Sequence, residues 1–104
     1  MAEYKVDGSE PAENDLHDIV RYISAQLDAP MTALNMMDII EAAISSLEDM
    51  PQRCPLVADE RLAAMGYRKL IVKNYFVFFT IDEQNKVVDI ERILHARRDW
   101  QGIL

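Results

Sequence analysis

The stretch Ile90-Glu-Arg-Ile-Leu-His-Ala-Arg-Arg-Asp-Trp100 ends an apolar run with a histidine and two adjacent arginines. An imidazole titrates near neutrality, which makes His95 the obvious acid–base candidate in the chain. Arg97 and Arg98 beside it, together with Arg68, Lys69, Lys73 and Arg92, could hold phosphate or carboxylate groups. Each has a plainer reading. His95 could bond a backbone carbonyl at a strand end, and the cations could be solvated or paired with Asp89, Glu91 or Asp99.

Other reactive residues offer less. Cys54 is the single cysteine, so no internal disulfide can form, and it reads as a free loop thiol. With only His17 and His95 to help it, no metal-ligand spacing exists, and neither a metal nor a cofactor is expected. His17 and Tyr22 fall at i and i+5 and make no convincing pair. The methionines at 31, 36, 37, 50 and 65 read as core and loop filler.

The formal charge of −7 over 104 residues argues against a generic nucleic-acid coat protein, which draws affinity from clustered Lys and Arg. The charge is uneven. Residues 1–52 carry two basic side chains against eleven acidic ones, and residues 53–104 carry nine against seven, giving −9 and +2. A polyanion or acidic partner would therefore meet the C-terminal half. No apolar run is long enough to span a bilayer, and MAEYKVDGSE lacks the layout of a secretory signal, so a cytoplasmic address is expected.

These residues need elements to position them. Tyr4-Lys-Val-Asp7 alternates like a short strand. Ser9-Glu-Pro-Ala-Glu13 is a helix start: Ser9 can accept a first-turn N–H, Pro11 lacks the N–H that would be orphaned, and Glu10, Glu13 and Asp15 complement the dipole. Ala12, Leu16, Ile19, Val20, Ile23 and Leu27 then lay one apolar stripe along a helix to about residue 28, where Pro30 stops it. A second helix from about Thr32 carries Leu34, Met37, Ile40, Ile44 and Leu47, completing a hairpin. Residues 49–66 read as a loop, with one helical turn at Glu60–Ala64.

The period then changes. Tyr67–Lys73, Tyr75–Ile81 and Val87–Leu94 read as strands, the last two joined through Asp82-Glu-Gln-Asn-Lys86, and Trp100–Leu104 as a closing turn or docked tail. The expected fold is α+β, one β-α-α-β-β-β domain over residues 1–104, with a mostly antiparallel sheet and the N-terminal hairpin on one face. Tyr75, Val77, Phe79, Ile81, Val88, Ile90 and Leu94 would face the helices. Phe76, Phe78, Thr80, Asp89, Glu91, Ile93 and His95 would form a mixed face open to a binder.

This order of elements resembles the RelE/ParE family of bacterial toxins. The likeness is carried by four strings: Ala12-Glu-Asn-Asp-Leu16, Leu47-Glu-Asp-Met-Pro51, Gly66-Tyr-Arg-Lys-Leu-Ile-Val-Lys-Asn-Tyr75 and Leu94-His-Ala-Arg-Arg-Asp-Trp100. The resemblance implies a RelE/ParE-like fold and a growth-arresting toxin neutralised by a cognate antitoxin protein, in a type II toxin–antitoxin system of the plasmid-stabilisation kind. RelE-like and YoeB-like members are ribosome-dependent mRNA endoribonucleases, or mRNA interferases; ParE-like members inhibit DNA gyrase. Cutting RNA needs a base, an acid and cations around the phosphorane. By resemblance His95 and Arg97 hold the catalytic positions, with Arg68, Lys69, Lys73, Arg92 and Arg98 as phosphate or antitoxin contacts.

One departure counts against the nuclease. The ribonuclease members carry an arginine immediately after the position of Tyr75, and here that residue is Phe76. Phenylalanine cannot neutralise phosphorane charge. The resemblance therefore points to a ParE-like toxin, with the endoribonuclease and a toxin-derived binding module as alternatives.

Overall fold

In the computed structural model, which describes residues 3–104, Ser9 caps the first helix by accepting the Ala12 N–H at 3.1 Å. The elements run β1 (Lys5–Gly8), α1 (Glu10–Arg21), α2 (Pro30–Ser45), α3 (Glu60–Ala64), β2 (Arg68–Val72), β3 (Tyr75–Asp82), β4 (Val87–His95) and α4 (Trp100–Ile103). The end of the first helix differs from expectation. Tyr22–Gln26 widens into a π-helical turn, with Leu27 N–H reaching back to Tyr22 O. Pro30 starts α2 at its first position, where its missing N–H costs nothing.

The sheet order is β1-β4-β3-β2. β1 lies parallel to β4, with Lys5 beside Val87 and Gly8 beside Ile90, while the β2–β3 and β3–β4 pairs are antiparallel. Helices α1 and α2 cover one face, and Ile40, Leu47, Val77, Phe79, Val88, Ile90 and Ile93 are buried with them. Two packed helices on a four-stranded sheet match the expected architecture.

From position 91 onward the faces of β4 differ from the expected alternation. Phe79 pairs with Ile90 and Phe78 with Arg92, so Glu91 is an extra residue bulged out of the ladder. Strict alternation fails across a bulge. Ile93 joins Ile90 under the helices, and Leu94 turns to the far side. That side is not left open. Val57, Leu62, Phe78 and Leu94 form a second buried cluster, against which Phe76, Tyr67, Trp100 and Ile103 pack. Phe78 is wholly buried, its ring 5.2 Å from that of Trp100. The loop and tail thus cover the far face of the sheet and complete a second, smaller core.

Candidate functional site

β1 ends beside Ile90, so the last residues of β4 have a strand neighbour, β3, on one side only. Side chains from the start of α1 occupy the other. Ser9 Oγ donates to the Glu91 carbonyl at 2.9 Å, and Asp15 Oδ2 accepts the Ile93 N–H at 2.9 Å. Asp15 also grips Arg92 with two bonds, Nε at 2.7 Å and a terminal nitrogen at 2.8 Å. That bond to Asp15 outweighs the desolvation of Arg92 and raises the guanidinium pKa further. α1 is thereby fixed across the end of β4.

The join leaves a cleft of about 430 Å³ lined by Asp15, Asp18, Ile19, Tyr22, Tyr75, Ile93, Leu94, His95 and Arg98. Asp15, Asp18, Ile19 and Tyr22 reach it together because steps of three and four stack on one side of a helix. Tyr75 and His95 are cross-strand partners and meet edge to face, with ring centroids 5.4 Å apart. Burial, with Tyr22 adding to it, pushes the Tyr75 phenol above its ordinary value, so it stays a neutral donor.

His95 serves the turn that follows it. Its Nδ1 accepts the backbone N–H of Arg97 at 3.1 Å, and its carbonyl accepts the N–H of Arg98 at 2.9 Å. With Nδ1 accepting, the proton of a neutral ring sits on Nε2, and the imidazole offers a donor rather than a free base. The ring thus bonds the backbone through an N–H, not through the carbonyl of the plainer reading.

The predicted cations divide by position. Arg98 lines the cleft, whereas Arg97 is exposed and meets His95 through its backbone. Lys73 is exposed at the same end of the sheet, in the two-residue turn whose Asn74 carbonyl accepts the Ala96 N–H. Arg68 starts β2 at the opposite end, roughly 13 Å away along the strand, and donates to the carbonyls of Cys54 and Gln52. Lys69 stands 4.3 Å over the Phe76 ring, and Phe76 belongs to the far-side cluster. Arg92 is engaged by Asp15. The sequence reading missed Asp15, Asp18 and Tyr22 as site residues, although their helical spacing was there to be read.

Among the described residues no cluster of His, Cys, Asp and Glu could hold a metal ion. Cys54 is buried in the helix-side core, and desolvation raises its thiol pKa against the pull of Arg53 and Arg68. It packs as a small apolar group.

A four-stranded sheet carrying an N-terminal helical hairpin, with an end cleft of this kind, is the fold of a small toxin class. The chain belongs to the family described as the ParE toxin of the type II toxin–antitoxin system parDE, whose model matches residues 6–100. Among solved structures it is similar to the chromosomal ParDE system from P. aeruginosa, with TM-score 0.74 and 20% identity over 91% of this chain and 98% of that one. It is also similar to the RelBE2 toxin–antitoxin complex from Mycobacterium tuberculosis, with TM-score 0.63 and 22% identity over 89% of this chain and 98% of that one. A mutant of the E. coli toxin RelE in the free state gives TM-score 0.63 at 13% identity, over 99% of this chain and 93% of that one. No curated protein sequence matches this one.

Proposed function

We propose that this toxin arrests growth by binding and inhibiting DNA gyrase, and that a cognate antitoxin protein holds it inactive. The observation that carries the choice is the dispersal of its cations. Arg98 alone of the predicted cationic residues lines the cleft with His95, and two carboxylates, Asp15 and Asp18, line it too. Asp15 is paired with Arg92 and Asp18 lies 3.8 Å from Arg21, so the cleft offers phosphate little beyond the charge of Arg98, less than RNA cleavage would need. Phe76, in the position where ribonuclease relatives carry arginine, lies in the cluster on the other side of the sheet. The ParE description of the matching family model supports the same reading. Gyrase would place its action in the cytoplasm, and no helix among the described residues is long and apolar enough to cross a membrane.

The endoribonuclease remains the second reading, because His95 and Arg98 share one cleft with the neutral Tyr75. Two measurements separate them. Purified toxin added to a gyrase supercoiling reaction should inhibit it, and inducing the toxin without antitoxin should arrest growth with messages intact. Cleaved messages together with unaffected supercoiling would sink the proposal. Absence of both effects would leave a binding module.

A further inference from the structure

The basic side chains of this chain are unequally committed. Arg92 is held by Asp15, Arg21 lies 3.8 Å from Asp18, and Lys86 lies 3.6 Å from Glu3 and 3.9 Å from Glu83. Arg53 and Arg68 donate to main-chain carbonyls, and Lys69 stands over the Phe76 ring. Lys73, Arg97 and Arg98 are exposed, and among the described residues their side chains have neither an ion pair nor a hydrogen bond. The fold gathers these three. The Asn74 carbonyl accepts the Ala96 N–H at 2.8 Å, which joins the turn after β2 to the turn after β4, and the Arg98 N–H bonds the His95 carbonyl at 2.9 Å. Two residues before Lys73, on the edge strand β2, Ile71 is 64% exposed.

Lys73 holds its place at φ +56°, in the left-handed region that favours glycine. Nothing its side chain touches within the fold offsets that strain, which directs attention to a contact outside the chain. The rest of the molecule selects the occupant. Residues 10–45 carry seven carboxylates and one arginine, so a long nucleic acid laid on three cations would run on over an acidic hairpin. A compact acidic protein surface meets the cations alone. We propose that the toxin recognises its target through this end of the sheet, with an acidic patch on gyrase receiving Lys73, Arg97 and Arg98 and an apolar side chain covering Ile71. The inference rests on the gyrase reading and assigns it a surface. Cations spread over two turns suit a protein face, whereas RNA cleavage would need them converging on one phosphate.

The test titrates purified toxin into a gyrase supercoiling reaction at low and high salt, with circular dichroism confirming that each variant folds. Lys73→Glu combined with Arg97→Glu should raise the half-inhibitory toxin concentration about tenfold or more and flatten its salt dependence. Lys73→Gly should weaken inhibition several-fold while raising the melting temperature, a combination that a purely structural lysine would not produce. No inhibition by the wild-type toxin would overturn the functional reading itself. Wild-type potency in the double variant would overturn the recognition surface alone. The surface would then belong to another occupant, identified by whether the same variant loses affinity for the antitoxin, retention on duplex DNA or self-association.

Discussion

Asp15 and Arg92 lie 77 positions apart in sequence and are joined by a two-pronged ion pair at 2.7 and 2.8 Å. Their side chains are 12% and 27% exposed, so water screens the pair only in part. Asp15→Ala would strand both the guanidinium and the Ile93 N–H. A loss of ~2–4 kcal/mol is expected in urea unfolding. Combining it with Arg92→Met should recover much of that loss, and a double variant no more stable than Asp15→Ala would refute this account.

The packing of α4 gives a second prediction. Trp100 covers Phe78, so Trp100→Ala should cost ~2–3 kcal/mol and loosen the tail. Thermal unfolding and proteolysis after residue 95 report the two effects. An unchanged melting temperature would mean the second cluster stands without the tail.

The expectations from sequence succeeded where local chemistry is decisive. Ser9 and Pro11 marked a helix start, the Glu60–Ala64 turn formed as expected, and the apolar periods separated helices from strands. Failure began at Glu91, because nothing in an alternating run identifies the residue that a bulge will expel. Its consequence was the exchange of Ile93 and Leu94 and the loss of the supposed open face. In the site, His95 and Arg98 stood out by type. The engagement of Arg92 and Arg68 did not, since their partners are set by register and by a distant loop.

Lys73 adopts φ +56° in the β2–β3 turn, a conformation that suits glycine better than lysine. Lys73→Gly should therefore stabilise the protein by up to ~1 kcal/mol. A loss of stability on chemical denaturation would show that the lysine side chain makes a compensating contact.

Tyr4 donates to Glu83, and Gln52 donates to both. The Tyr4 bond, then the Gln52 bond, holds the Glu83 carboxyl below its ordinary value of 4.5. A depressed carboxyl contributes stability that is fully present above the unfolded value and lost as pH falls through the folded one. Tyr4→Phe should move the Glu83 titration upward, read by NMR of its side chain, and narrow the acid side of the stability profile. An unmoved Glu83 titration would refute the assignment.

His95→Ala separates the two activities. A ribonuclease relying on this imidazole should lose ~100-fold or more. The gyrase reading expects growth arrest to persist, monitored by colony counts after induction. Complete loss of arrest in a folded variant would favour the nuclease.

The pairing of β1 with β4 joins residues about eighty positions apart, with helices and two strands synthesised between them. A chain emerging from the ribosome cannot close this sheet until β4 has been translated, because loop closure precedes any gain from such distant contacts. The sheet of the toxin is therefore completed only by its fourth strand. Prematurely terminated products ending before Val87 would leave the first strand without a neighbour, and cells would be spared active fragments.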